Sequence, residues 1–481
     1  MTGFDLRSSF AETALPSTEA VESGPAKAFT VSWRLSLACL VGGLALGELV
    51  VLIERAGVQK RPLFGAVILL GGLVAGMLPL RFGVFAVVVA CAYQGFLINF
   101  VGSPGLYWKE AFVAVVVFRA LRKRLPTAGE TAALLLTASV FIAYTLFNHA
   151  LTEVAWGAKI LLLFAAGGWA LCILRIGQRE WQAGYAGLMV VVSSSFIVAQ
   201  WQRNMGVGGL LGLGFTYGDS VRQVGNTLRV FAGFIYGAPF AYTMALAALC
   251  WFALYLSKPA SSALRTVWVP ALAAVGIVWS LSRIALVGMV VACAVVTLMQ
   301  KRLHAALPVA VVLAGVVVFA SGSAVGFLGQ GFTFSSESAK ARTSLWKERW
   351  AEVNVLGGGP GSAGAAFARA ADSSNSPQNA GERVTDNLYV SWLLQYGILF
   401  GIPLCLAWLV LLSRPLFLPG ADPAIMTARL FGVFAIVAAF AVNVWEEFPV
   451  NLVLALFIAQ AFSSRSEESL AEAAEPSVAP L

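Results

Sequence analysis

The sequence predicts an all-α polytopic membrane protein of about 12–14 transmembrane helices, with one large external loop that contains an amphipathic helix. Three observations carry this. Apolar residues make up 59% of the chain and charged residues only 12%, whereas soluble domains carry about 25% charge. Apolar runs near 20 residues long, the length that crosses the hydrocarbon core as a helix, recur from Trp33 to Phe462. Lys and Arg collect in alternate connections between those runs. Backbone groups find no water in lipid, so only helices and closed barrels span it, and these runs exceed the roughly ten alternating residues of a barrel strand. A β-barrel is excluded.

Residues 1–32, rich in Ala, Ser, Thr, Glu and Pro, lack periodicity and lack the charged start and apolar stretch of a cleaved signal peptide. They read as a disordered cytoplasmic tail. A transmembrane bundle follows over 33–322, with helices expected near 33–53, 63–80, 82–101, 108–121, 131–148, 156–175, 182–200, 230–256, 265–281, 284–300 and 304–322. Residues 323–385 form the external, periplasmic loop. Residues 386–463 supply the C-terminal transmembrane helices, near 386–412, 426–444 and 448–463, and 464–481 read as a second disordered tail.

Orientation follows from charge. Arg119, Arg122, Lys123 and Arg124, then Arg175 and Arg179, Lys258 and Arg265, Lys301 and Arg302, and Arg414 and Arg429 share one side. The positive-inside rule makes that side cytoplasmic, together with both termini. Residues 148–155 and 443–449 fall on the other side, the latter with Glu446 and Glu447; Arg55, Lys60 and Arg61 break the pattern. The net charge of +8 therefore encodes orientation, and no nucleic-acid partner is expected. All six cysteines lie in apolar runs without CxxC spacing and read as small core residues.

This topology sends both long connections, about 201–229 and 323–385, outside, where basic residues should be scarce. Yet the first holds Arg203, Arg222 and Arg229, and the second holds Lys340, Arg342, Lys347, Arg349, Arg369 and Arg383. Arg283 lies between two helices joined by almost no loop, at membrane level, where a charge is costly and hence a functional candidate. Guanidinium stays charged, binds phosphate bidentately and tolerates partial desolvation. Arg229 and Arg283, each expected at a helix start, are thus the leading candidates for holding a lipid phosphate or pyrophosphate.

Within the external loop, residues 339–355 space Arg342, Trp346, Arg349, Trp350 and Val353 along one side of an interfacial helix, where tryptophan suits sugar faces. The following GGGPGSAG, residues 357–364, has backbone N–H groups for an anion but lacks the Lys-Ser or Lys-Thr of a P-loop. Asp386 opens TDNLYVSWLLQYGILFG. It reads either as a helix N-cap or as a carboxylate that accepts a proton from a sugar hydroxyl, with Tyr389 one turn on and facing the same side. His149 is a minor candidate on that face. His149 and His304 are expected on opposite sides, so no metal site is expected.

Four segments carry a family resemblance: LRVFAGFIYGAPFAYTMAL from Leu228, SLSRIALVGMVV from Ser280, RTSLWKERWAEVNVLGGGPGSAG from Arg342 and DNLYVSWLLQYGILFG from Asp386. In order, spacing and shared face they resemble the O-antigen ligase and Wzy-type polymerase superfamily of bacterial envelope glycan enzymes, over roughly residues 222–458. The resemblance implies a GT-C-like glycosyltransferase of the bacterial inner membrane that needs no metal, nucleotide sugar or other cofactor. It implies an undecaprenyl-pyrophosphate-linked oligosaccharide as substrate, used at the outer leaflet, and arginines, here Arg229, Arg283 and Arg342, that hold the pyrophosphate. The expected catalytic set is Asp386, Arg283 and Arg229; Arg222, Arg342, Arg349, Trp346, Asn387 and Tyr389 are expected substrate contacts. Ligases that load lipid A core usually carry histidine where this sequence has Asp386, and the Asp-Asn pair looks more like polymerases of exopolysaccharide, capsule or O-antigen. A chain-length regulator, export machinery and membrane lipids are the other expected partners. The alternatives are an O-antigen ligase, and a lipid-linked oligosaccharide flippase or transporter, for which no inverted repeat is evident.

Overall fold

The structure, a computed structural model, describes residues 31–55, 62–101, 107–146, 151–218, 220–224, 227–257, 261–301, 337–364 and 386–474. They form helices α1 (Trp33–Arg55), α2 (Pro62–Met77), α3 (Leu80–Cys91), α4 (Gln94–Val101), α5 (Trp108–Lys123), α6 (Ala128–Leu146), α7 (Leu151–Leu174) and α8 (Gln178–Gly212). A two-stranded antiparallel hairpin, β1 (Arg222–Val224) and β2 (Thr227–Arg229), comes next. Then follow α9 (Gly237–Ser257), α10 (Ser261–Leu264), α11 (Trp268–Trp279), α12 (Arg283–Met299), α13 (Glu337–Ala351), α14 (Leu388–Ser413), α15 (Pro423–Ala439) and α16 (Val450–Ala474).

Among the described residues, α1, α6, α7, α8, α9 and α14 with its extension to Phe417 are long and apolar enough to cross a membrane, and shorter apolar helices pack between them. This is the all-α multi-pass membrane protein that the composition predicts. Helix α8 is central, packed on α1, α3, α9 and α11, while α15 joins α9, α12, α14 and α16. Lipid tails are as apolar as leucine, so helices in a membrane hold together by close contact of small residues. Gly43 and Gly47 show this on α1: a Cβ there would lie 2.8 Å from the Val190 carbonyl oxygen and 2.6 Å from that of Ser194.

Several expected elements differ. The helix expected over 82–101 is two helices, because the Gly95 and Phe96 N–H groups donate to the Gly233 carbonyl (2.9 and 3.1 Å) across the break. The connection expected over 201–229 is mostly regular. Helix α8 runs to Gly212 through a kink at Gly206 (φ 65°), a conformation glycine adopts without steric cost, and the hairpin follows. The helix expected from 230 starts at Gly237, so Arg229 closes β2 and does not open a helix. Where a tail was expected from 464, α16 continues to Ala474 on a stretch of Glu, Ala and Leu, all good helix formers. The tail over 1–30, the helix expected at 304–322, His149 and His304 lie outside the described residues.

Candidate active site

Arginines converge on the short turn between α11 and α12. Ser280 folds back on α11 through its hydroxyl, which donates to the Ile277 carbonyl (2.6 Å), and Leu281 takes a positive φ of 56°. That reversal makes Arg283 the first residue of α12, as its position in the sequence predicts. Arg229 Nε donates to the Ser280 carbonyl at 3.1 Å, and the neighbouring Val230 N–H donates to the Trp279 carbonyl at 3.1 Å. Across the hairpin Arg222 is the direct register partner of Arg229. Arg203 of α8 lies over the Trp279 ring, 4.6 Å from its centre. Arg203 and Arg229 thus meet the 279–283 turn that ends on Arg283, with Arg222 opposite Arg229 across the hairpin, and Arg229 and Arg283 are half-buried.

The segment that carries Arg229 is fixed from below. The buried Gln202 side chain accepts from the Phe231 and Ala232 N–H groups (3.2 and 2.9 Å) and donates to the Ala232 carbonyl (2.8 Å), holding Ala232 at φ 49°. Gly237 lets the backbone close: a Cβ there would meet the Val230 carbonyl at 3.0 Å.

Acidic groups approach the arginines from the turn before α16. The Tyr236 hydroxyl donates to the Glu447 carboxylate, while the Arg222 guanidinium covers the Tyr236 ring at 5.3 Å. Burial, then the adjacent Glu447 charge, push the Tyr236 hydroxyl well above its ordinary value, so it remains a proton donor. Glu446, 4% exposed, accepts from Ser391, Gln395 and Asn443, each at 3.3 Å.

The start of α14 corrects one expectation. Asn387, not Asp386, is the N-cap: its side chain accepts from the Val390 N–H at 3.1 Å and its amide donates to the Phe440 carbonyl at 3.1 Å. Asp386, half-buried, stands one residue before the cap. Tyr389 donates to the Ile436 carbonyl at 3.2 Å and packs on Phe440, so Asn387 and Tyr389 hold α14 to α15. Arg283 and Asp386 lie at one end of α15: Gly288 of α12 packs on Phe434, and Asn387 reaches Phe440.

Helix α14 is broken at Gly397 (φ 65°, ψ −173°), and the glycine segment 357–361 fills the break. Gly358 and Gly359 N–H groups donate to the Leu394 and Gln395 carbonyls (2.7 and 2.9 Å), and Gly361 N–H donates to the Gln395 side chain (2.8 Å). In return Ile398 and Leu399 N–H groups donate to Asn354 and Val355 (each 3.0 Å). Three of the N–H groups considered for an anion, those of Gly358, Gly359 and Gly361, are therefore occupied by α14. The expected loop helix is α13, packed on α14. Arg342 lies on it; Arg349 pairs with Glu352 at 2.5 Å; and the Trp346 indole N–H is buried without a hydrogen-bond partner among the described residues.

Fold and site together define a polytopic helical membrane protein with arginines gathered at one end of its bundle. Residues 268–405 match the family model described as O-antigen ligase, so that this segment, with the Ser280, Arg342 and Asp386 motifs inside it, bears out the resemblance to the O-antigen ligase and Wzy superfamily. No curated protein matches the chain significantly. The general activity this supports is that of O-antigen ligases and polymerases. Sequence reasoning did not find Tyr236, Gln202, Gln395 or Ser391, which differ in no local way from other polar residues in apolar runs. Lys109, Glu110 and Lys159 were within reach, as charges inside apolar helices.

Proposed function

We propose that the protein polymerises undecaprenyl-pyrophosphate-linked oligosaccharide repeat units at the outer leaflet of the bacterial inner membrane, with both termini cytoplasmic. The observation that carries this reading is the meeting of Arg203, Arg229 and Arg283 at the 279–283 turn, with Arg222 opposite Arg229 across the hairpin. Like charges placed directly across a hairpin repel, so an anion between them is what such an arrangement suits. A pyrophosphate held there keeps its leaving-group charge on fixed guanidinium groups. The acceptor hydroxyl oxygen bonds to the donor's anomeric carbon, the bond from that carbon to pyrophosphate breaks, and undecaprenyl pyrophosphate departs with the electron pair. The hydroxyl proton passes to Asp386, which serves as base without being needed as a cap. Arg342, Arg349 and Trp346 on α13 supply saccharide contacts in this reading. No step calls for a metal.

A second reading, transfer onto lipid A core, is favoured by the family description over residues 268–405. The aspartate at position 386 speaks for polymerisation. The two separate when purified protein is given undecaprenyl-pyrophosphate-linked repeats alone and the products are sized. Longer lipid-linked chains are expected; transfer only after a different acceptor is added would select the ligase.

A further inference from the structure

The irregular segment after α13 runs at membrane depth. Two helices measure its height from the same end of the bundle: Cys172 of α7 donates to the Ala459 carbonyl of α16 (3.6 Å), and Arg414 lies over Phe462 of that helix, so Arg175 and Arg414 share one level. Ile398 of α14 stands sixteen residues before Arg414, about 24 Å along a helix axis. Gly157 of α7 stands eighteen residues before Arg175, about 27 Å. The segment touches both points. Ile398 and Leu399 N–H groups donate to the Asn354 and Val355 carbonyls, and a Cβ on Gly157 would lie 2.5 Å from the Gly361 nitrogen. The hydrocarbon core is about 30 Å thick and helix tilt only lowers these heights, so residues 354–361 lie inside its edge. The side chains match that depth. Trp350, Val355 and Leu356 are 59%, 63% and 52% exposed, and they continue the exposed apolar stripe of Leu399, Ile402, Leu406 and Val410 on α14.

The backbone is built for lipid as well. Every N–H from Leu356 to Ser362, Pro360 having none, donates within the protein: Leu356 and Gly357 to the Asn354 side chain (3.1 and 2.5 Å), Gly358 and Gly359 to α14 carbonyls, Gly361 to the Gln395 side chain and Ser362 to the Gly359 carbonyl (3.1 Å). The Leu356 carbonyl accepts from the Tyr144 hydroxyl. A loop in water can leave such groups to solvent, whereas hydrocarbon tolerates irregular backbone only when it is satisfied internally. We propose that residues 350–356 are embedded in the bilayer, in the leaflet away from Arg414, with lipid covering Trp350, Val355 and Leu356. The segment is then an anchor that holds the last turn of α13, which carries Arg349, at headgroup level, where tryptophan is also at home. That is the level at which a lipid-linked saccharide leaves the membrane. The saccharide rests on the polymerase reading; the embedding does not.

The test places a nitroxide label on Val355→Cys or Leu356→Cys in the full-length protein without its native cysteines, reconstituted in phospholipid nanodiscs. Collisions are measured with oxygen, which partitions into lipid, and with a neutral nickel chelate, which stays in water. Both side chains are exposed, so neither replacement removes packing, and the two positions check each other. Leu406→Cys, on the lipid-facing stripe, is the reference for lipid, and Glu348→Cys, exposed on α13, is the reference for water. The expected result is that labels at 355 and 356 behave like the label at 406, with collisions with oxygen retained and those with the nickel chelate lost. Nickel collisions at 355 and 356 as frequent as at 348 would overturn the anchor. No substrate enters the measurement, so a protein that failed to polymerise lipid-linked repeats would still give the lipid signature if the segment is embedded.

Discussion

Arg222 and Arg229 stand directly opposite each other across the β1–β2 hairpin, and each is turned to a fixed acceptor, Arg222 Nε to the Gly218 carbonyl (2.7 Å) and Arg229 Nε to that of Ser280 (3.1 Å). The turn that accepts from Arg229 begins at Trp279, under the Arg203 guanidinium, and ends on Arg283.

Asp386 separates cap from base. Asn387 already caps α14, so Asp386→Asn should leave membrane abundance and thermal stability within about 0.5 kcal/mol of the parent. Polymerisation should fall about 10²–10⁴-fold, the typical contribution of a positioned base. Full activity with normal abundance would move the base to Glu446 or Glu447.

Gly397 should tolerate no side chain. A Cβ there would lie 2.3 Å from the Val355 carbonyl oxygen and 2.4 Å from the Gly357 nitrogen, and its φ and ψ alone cost a non-glycine residue about 1–3 kcal/mol. Gly397→Ala should lower the melting temperature in detergent and make the 354–361 segment susceptible to protease. Gly71→Ala, with open space around its Cβ, should leave both unchanged.

Tyr236 gives a pH-dependent signature. Its folded pKa is raised above the ordinary value of 10, so the folded state holds this proton more tightly than the unfolded chain. The stabilisation is complete below pH 10 and is lost as pH rises towards the folded value. Tyr236→Phe should lose the donor to Glu447, about 1.5–3 kcal/mol for a bond to a charged group, and should show a shallower alkaline fall in stability than the wild type. Parallel curves above pH 10 would show that the hydroxyl does not titrate as described.

The hairpin should face away from the cytoplasm. Tyr217, 56% exposed, replaced by Cys in a background lacking native cysteines should react with an impermeant thiol reagent in intact spheroplasts. Reaction only after lysis would invert the topology.

The membrane fold was legible because lipid permits so few backbone solutions, and Arg283 was placed correctly because two apolar runs meet at SLSR with no room for a loop. Arg229 was singled out for its charge, but its hairpin was not foreseen, although its partner Arg222 is close in sequence; the Gln202 clamp on Phe231 and Ala232 joins residues far apart in the chain. At DNLY two cap-competent residues stand side by side, and local propensity does not choose between them. Asn387 prevails because an amide, unlike a carboxylate, can also donate to the Phe440 carbonyl. The glycines at 357–361 signalled backbone freedom without saying for whom. Their partner is the break at Gly397, some 40 residues on.

The central claim, that the arginine cluster holds the departing pyrophosphate, is tested most directly by transfer rates of Arg229→Ala and Arg283→Ala on lipid-linked repeats with purified, folded protein. Each loses a charge-assisted contact of about 1.5–3 kcal/mol, so each should slow chain extension at least about 10-fold. Lysine replacements should recover little, because an ammonium lacks the planar fork that matches phosphate. Near-normal chain extension by both alanine variants would contradict the account.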